Sequence, residues 1–454
     1  MPGLGLLLAM GLSAETAYSS NSLAMQALRR MAALPEAAAA APSAIAASDD
    51  PNPMKLVLFD NATVEAYGAR CLDGSPSGYY LREGSAPENI AIYLEGGGLC
   101  IEPVDCLQRA KGNLGSSTGW APTHTDAQNI LSTDASFNPF ANWTHVFVPY
   151  GSGDVYIGTQ RKPGIDGLYF AGHNTMEAVL DHLINTTGLA AAKNVLLSGG
   201  SAGGIGTFQN ADWMGGRLRE ARRAAVAAAG GGGGVVEEEE LNFRAAPQAG
   251  GFFVGSDVIM YPEFELDVAI NFADFASNYL YGWFGGQGDG PGGSSPFLDA
   301  SCVKAHAADK PHTCWNAANH YAYIETPLYV VQNMFDSEQA GDIFGLSWWP
   351  QPLLHHDEAV AKYKAYFGNV TVSDLAAKVL AHGATKTPAD GLFMPSCFEH
   401  TGNLCMKGGP SVKGTKLAAS LADWFFDEGK VAHALVDDCA PASSGPCNTF
   451  CKCT

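Results

Sequence analysis

A serine set among glycines, Gly199-Gly200-Ser201-Ala202-Gly203, is the strongest chemical signal in this chain. It follows the apolar run Asn194 to Ser198, which has the character of a strand, and precedes residues suited to a helix. At such a strand-to-helix turn a G-x-S-x-G lifts the serine hydroxyl above the sheet edge, and the glycines permit the tight backbone. The helix start leaves N–H groups free for a developing oxyanion, the first of them at Ala202. The same glycines could instead cradle a phosphate. No lysine follows them, however, and no convincing acidic partner lies about 20 positions on, as a dinucleotide site requires.

A nucleophilic serine needs a base, and the base an orienting acid, in the chain order Ser, Asp or Glu, His for this type of turn. Asp336 lies just past the strand-like run Leu328 to Gln332. His400 lies in the loop Phe393-Met394-Pro395-Ser396-Cys397-Phe398-Glu399-His400, beside cysteines. His306, His312, His320, His355, His356, His382 and His433 compete for the base, and spacing does not separate them. A second source of oxyanion donors is the loop Leu94-Glu95-Gly96-Gly97-Gly98-Leu99-Cys100, where Gly97 or Gly98 could face Ala202 across a carbonyl oxygen. This scheme uses no metal and no cofactor.

Positioning these groups requires buried strands. Ile90 to Leu94, Thr144 to Pro149, Asn194 to Ser198 and Leu328 to Gln332 read as strands, with amphipathic helices over Thr175 to Ile184 and Lys416 to Phe426. Apolar strands alternating with helices predict an α/β fold of the α/β-hydrolase kind: a mostly parallel central sheet with helices on both faces. The folded domain is expected over residues 54–454, behind a leader or low-complexity segment over 1–53. Residues 217–240 carry an Ala-rich stretch, a run of five glycines (230–234) and a run of four glutamates (237–240), and are expected to form a mobile insertion.

The chain has 454 residues, 46% hydrophobic and 16% charged, with a formal net charge of -20. That acidity argues against nucleic acid, whose phosphates demand a basic surface. Leu4 to Leu12 is apolar but too short to span a bilayer; it resembles an atypical signal-peptide core, with no basic residue ahead of it. No other segment predicts stable membrane insertion. The 11 cysteines fall as Cys71 alone, then Cys100 with Cys106, Cys302 with Cys314, Cys397 with Cys405, and a tail of Cys439, Cys447, Cys451 and Cys453. None has the doubled C-x-x-C spacing of zinc, so disulfides are expected, including a small Cys100–Cys106 loop. Sequons at Asn61, Asn142, Asn185 and Asn369 point the same way, to a secreted, N-glycosylated protein.

With the glycine loop and the serine turn above, motifs that run from about Cys71 to the C-terminus, interrupted by the Ala/Gly/Glu insertion at 217–240, resemble those of the pectin acetylesterase and Notum family. The resemblance rests on Cys71-Leu72-Asp73-Gly74-Ser75-Pro76, the LEGGG-x-C loop, Leu114-Gly115-Ser116-Ser117, Asn129-Ile130-Leu131-Ser132 with Asn138-Pro139, and Val148-Pro149-Tyr150. It continues through GGSAGG, Phe335-Asp336, Ser396 to His400 and Asp423-Trp424-Phe425-Phe426-Asp427. It implies metal-free hydrolysis of carboxylic esters by Ser201, Asp336 and His400. It also implies a cysteine after Pro149-Tyr150 to pair with Cys71; here Gly151 stands there, so Cys71 is expected to be a free thiol. Gly98 resembles the acetylesterase branch, where the Notum branch carries tryptophan. Three readings follow: deacetylation of O-acetylated polysaccharide in a cell wall or other extracellular setting, Notum-like removal of a fatty acyl group from a protein, and an inactive glycan-binding protein.

Overall fold

The computed structural model describes residues 52–100, 103–228, 241–251, 284, 296–306, 311–339, 368, 371–438 and 446–453. Residues 1–51 of the expected 1–53 leader, and His355, His356, Asn369 and Cys439, lie outside the described residues.

Twelve strands are described: β1 (Met54–Leu58), β2 (Gly78–Arg82), β3 (Ala86–Leu94), β4 (Thr123–His124), β5 (Trp143–Val148), β6 (Asn194–Gly200), β7 (Asn242–Gln248), β8 (Tyr329–Val331), β9 (Gly391–Met394), β10 (Ser411–Val412), β11 (Thr415–Lys416) and β12 (Ala434–Val436). Ten of them form one sheet in the order β12-β9-β8-β7-β6-β3-β5-β2-β1-β4. From β12 to β5 all neighbours are parallel, whereas β2, β1 and β4 add an antiparallel edge. The strand runs read from the sequence are β3, β5, β6 and β8.

Strand residues alternate between two cores, as the pleat requires. Ile90, Ile92, Leu94, Val195 and Leu197 face one apolar cluster; Ala91 and Leu196 face the other. The helices α1 (Pro103–Arg109), α2 (Gly172–Thr186) and α3 (Ala202–Ala228) bury Cys106, Met176, Leu180, Ile205 and Phe208 in the first cluster. The helix α4 (Leu417–Phe425) buries Leu421, Trp424 and Phe425 in the second. Both faces are therefore covered, which is why the central strands are apolar throughout rather than alternating.

Two expectations are corrected. Residues 217–228 are not a loose insertion but the last 12 of the 27 residues of α3. Alanine, arginine and glutamate are good helix formers, and extending an existing helix avoids the cost of nucleation. Arg217 pairs with Asp181 at 2.7 Å and Arg222 donates to the Ala192 carbonyl at 2.8 Å, fastening this stretch to its surroundings. Residues 229–240, the glycine and glutamate runs, lie outside the described residues.

The second correction concerns cysteines. Cys302–Cys314 is bonded as grouped, but Cys397 and Cys405 pair with the tail, as Cys397–Cys451 and Cys405–Cys453. Cys447 is disulfide-bonded as well. Cys100 and Cys106 are free thiols, not the expected bridge: their sulfurs are hydrogen-bonding neighbours within 4.8 Å, beyond covalent distance. Cys71 is a buried free thiol facing Gly151, as expected; a Cβ built on Gly151 would stand 2.5 Å from its Sγ.

Candidate active site

The site forms where the parallel strands end. At the end of β6 the chain turns directly into α3, and Ser201 takes φ +56°, a left-handed backbone that a non-glycine residue adopts at a cost. Its N–H donates to the Gln248 carbonyl at 3.0 Å and its carbonyl accepts from Ile205, so the strained turn is held from both sides. The flanking glycines are required by close approach. A Cβ at Gly199 would lie 2.4 Å from the Gly203 carbonyl, and one at Gly203 would lie 2.0 Å from the Leu94 carbonyl.

Beyond β8 and β9 the chain continues as two neighbouring loops. Met334 donates to the Pro395 carbonyl at 2.9 Å, Phe335 to that of Cys397 at 3.2 Å and Ser337 to that of Glu399 at 3.3 Å. This zipper brings Asp336 and His400 together from positions 64 residues apart. The Asn333 side chain donates to the His400 carbonyl at 2.8 Å, and the Cys397–Cys451 bridge anchors the histidine loop.

The three predicted side chains meet in one chain of hydrogen bonds. His400 Nδ1 lies 2.8 Å from Asp336 Oδ2 and 3.0 Å from Oδ1. With Nδ1–H donated to the carboxylate, Nε2 is free to accept from the Ser201 hydroxyl at 2.8 Å. Asp336 is fully buried and also accepts from the Gln332 side chain at 2.8 Å and the N–H groups of Glu338 and Gln339. Burial pushes the His400 pKa down, but the Asp336 charge and hydrogen bond outweigh it, so the net shift is upward. Of the competing histidines, His433 is engaged by Asp423 at 2.6 Å, and among the described residues only His400 hydrogen-bonds Ser201.

The glycine-rich loop after β3 lies against this turn: a Cβ at Gly96 would stand 2.6 Å from the Gly200 carbonyl and 3.0 Å from Ser201 Cβ. Gly97 and Gly98 have φ +139° and +71°, conformations open to glycine. Among the described residues neither N–H has a protein acceptor, and Ala202, as the first residue of α3, offers another. Arg109 Nη1 donates to the Gly97 carbonyl at 2.6 Å. A trans peptide points its C=O and N–H in opposite directions, so this contact turns the Gly98 N–H to the other side of the loop. Glu95, whose carboxylate accepts from Tyr150 N–H at 2.8 Å, anchors the loop to the end of β5; burial pushes its pKa up to about 7.

Sequence reasoning missed Gln332, Glu95 and Arg109. Gln332 carries a readable signal, since it precedes Asp336 by four positions at the strand end; Arg109 carries none without the fold. Among the described residues two clusters have metal-ligand composition. Cys302 and Cys314 of the first are consumed by their disulfide, leaving His306; the second is Cys100, Asp105 and Cys106, where burial and the neighbouring thiol raise the Cys100 pKa well above its usual value. Metals bind the thiolate, so that shift opposes a metal there.

The profile of the pectinacetylesterase family matches residues 47–249 and 291–452. This chain belongs to that family. The match runs through the 217–240 stretch and breaks at 250–290 instead. Pectin acetylesterase 11 of Arabidopsis thaliana is 27% identical over 405 residues, which are 85% of this chain and 90% of that protein. The palmitoleoyl-protein carboxylesterase NOTUM of Mus musculus is also 27% identical, over 85% of this chain and 68% of its own. The crystal structure of the Wnt deacylase Notum from Drosophila superposes with a TM-score of 0.64 at 23% identity, covering 88% of this chain and 99% of that one. The fold is thus of the Notum kind, and the family makes this chain a carboxylic ester hydrolase.

Proposed function

We propose that this chain is a secreted acetylesterase that removes acetyl groups from O-acetylated polysaccharide. The observation that carries the reading is the continuous Ser201–His400–Asp336 hydrogen-bond chain in a protein aligned over 90% of a plant pectin acetylesterase. Ser201 attacks the ester carbonyl while His400 Nε2 takes its proton; the C–O bond to the sugar breaks as His400 returns that proton to the leaving alkoxide. Water, deprotonated by His400, then releases acetate from the acyl-enzyme. Asp336 holds the ring in the required tautomer, and the N–H groups of Gly97, Gly98 and Ala202 receive the oxyanion.

Secretion is supported by the disulfides and by three exposed sequon asparagines, Asn61, Asn142 and Asn185. Among the described residues no helix is long and apolar enough to cross a membrane. A second reading, a fatty-acyl hydrolase, is favoured by 39% identity to Xenopus laevis notum1' over 170 residues. A chain-length series of p-nitrophenyl esters separates the two. Each buried CH₂ contributes about 0.8 kcal/mol, so kcat/KM rising steadily to chains of about eight carbons overturns the acetylesterase reading. Fluorophosphonate labelling tests the chemistry itself: label should attach to the native chain and be lost in Ser201→Ala, and label retained in that variant refutes the assignment.

A further inference from the structure

Asn142, at the head of the sequon Asn142-Trp143-Thr144, is exposed just ahead of β5. It lies where the parallel strands begin, the opposite end of the sheet from Ser201. Two hydrogen bonds from the β2–β3 turn fix this backbone: Ala86 N–H donates to the Asn142 carbonyl at 3.1 Å and Gly84 N–H to Thr144 Oγ1 at 3.2 Å. A Cβ at Gly84 would stand 2.3 Å from the Asn142 carbonyl oxygen, so the turn packs directly on the sequon. Among the described residues the Asn142 side-chain amide has no hydrogen-bond partner. Beside it lies a groove of about 310 Å³. Glu83 and Ser85 of the turn, Thr133 and Ala135 of the loop before β5, and Ala141 and Trp143 on either side of the asparagine line it. That volume suits one small ring. A sugar carries hydroxyls on its rim and C–H groups on its faces, and this lining offers carboxylate and hydroxyl groups beside apolar ones.

We propose that this groove seats the first N-acetylglucosamine of an N-glycan carried by Asn142, so that the sugar braces the β2–β3 turn and the 133–135 loop against the start of β5. This rests on the secretion reading. In the transfer, the Asn142 amide nitrogen bonds to C1 of a lipid-pyrophosphate-linked oligosaccharide; the bond from C1 to the pyrophosphate breaks, and the nitrogen gives up one proton. The sequon's hydroxyl belongs to Thr144, which the fold buries, so the transfer precedes the pairing of β5. A sugar tethered at the rim of the groove binds intramolecularly, and modest contacts then suffice to hold it.

The test uses the full chain expressed in a eukaryotic host, with each asparagine's glycan read by peptide mass spectrometry. Native protein is treated with the amidase that cuts the Asn–sugar bond, in heavy-oxygen water so that each release is marked. A core sugar seated about nine-tenths of the time is open to the amidase only in the remainder, so release at Asn142 should be about tenfold slower than at exposed Asn61 and Asn185. Unfolding should abolish that difference. Ala135→Trp, at an exposed position, fills the groove with the glycan still attached, and release at Asn142 should then match the other two sites. Asn142→Gln should lower Tm by about 1–3 °C while leaving p-nitrophenyl acetate hydrolysis unchanged. Equal release at the three sites in native wild type overturns the proposal, and this arm decides even if a variant fails to fold. Slow release that persists in folded Ala135→Trp also overturns it. Secreted protein with Asn142 bare overturns the seat alone; a chain retained in the cell with all three asparagines bare overturns the secretion reading and the seat with it.

Discussion

Gly151→Cys should create a disulfide with Cys71. A Cβ at Gly151 would stand 3.2 Å from Cys71 Cβ and 2.5 Å from its Sγ. Bonded cysteines hold their Cβ atoms about 3.5–4.5 Å apart, so the segments need to part by only a few tenths of an ångström while the sulfur rotates. Gly151 is not in the left-handed region, and its carbonyl already accepts from Leu72 N–H at 2.8 Å, which fixes the approach. The bond would close a loop of 80 positions, worth about 4.5 kcal/mol by chain entropy. Trp120 Cζ2, 3.3 Å from the new Cβ, and the small opening subtract from this, leaving about 2–4 kcal/mol. For a fold of this size, at about 2.1 cal/mol/K per residue, that raises Tm by about 2–4 °C. The assays are peptide mapping of unfolded, unreduced protein after alkylation, and melting with and without reductant. In wild type Cys71 should react only after unfolding, because burial pushes its thiol up to about 12. Cys71 still alkylated in the unreduced variant, or a Tm indifferent to reductant, would refute the geometry.

Ser201→Ala and His400→Ala should each lower kcat by about 10⁴–10⁶, with the double variant little worse, and Asp336→Asn by about 10⁴; additive losses would show that the three do not act together. His400 must be neutral to act as a base, and its pKa is raised above the usual 6.5. The kcat/KM profile should therefore fall with acid through a value above 6.5, and Asp336→Asn should move that limb downward; a limb that stays put assigns it to another group. Glu95 is raised from 4.5 to about 7, so the folded state binds the extra proton and stability falls as pH climbs through that window. Glu95→Gln should flatten the decline, measured as Tm against pH.

The parts of this molecule that were legible in the sequence are those where one residue type is demanded. Gly199 and Gly203 are required by carbonyls closer than any Cβ allows, and such glycines punctuate a motif visibly. The strands β3, β5, β6 and β8 were readable because burial on both faces makes them apolar runs. His400 was different: on chemistry alone it stood among seven competitors, and only the ordered family motifs separated it. What brings it to Asp336 is a ladder of backbone N–H and carbonyl groups between two loops, and nearly any residue supplies those.

The same contrast explains the errors. Residues 217–228 have a composition that suits either a solvated linker or a helix, and the deciding fact is that α3 is already running when it reaches them. The cysteine tail could have paired in several ways; nearness in sequence favoured Cys397 with Cys405, while the fold lays the C-terminus across the histidine loop and gives each a partner there. Arg109 and Glu95 act on the glycine loop through a carbonyl and an N–H, so no spacing rule announces them. Catalytic groups are thus conspicuous because chemistry restricts their type, whereas the residues that aim them are hidden because geometry alone selects them. It follows that the proposed oxyanion donors, Gly97 and Gly98, depend for their aim on positions that only the folded chain reveals.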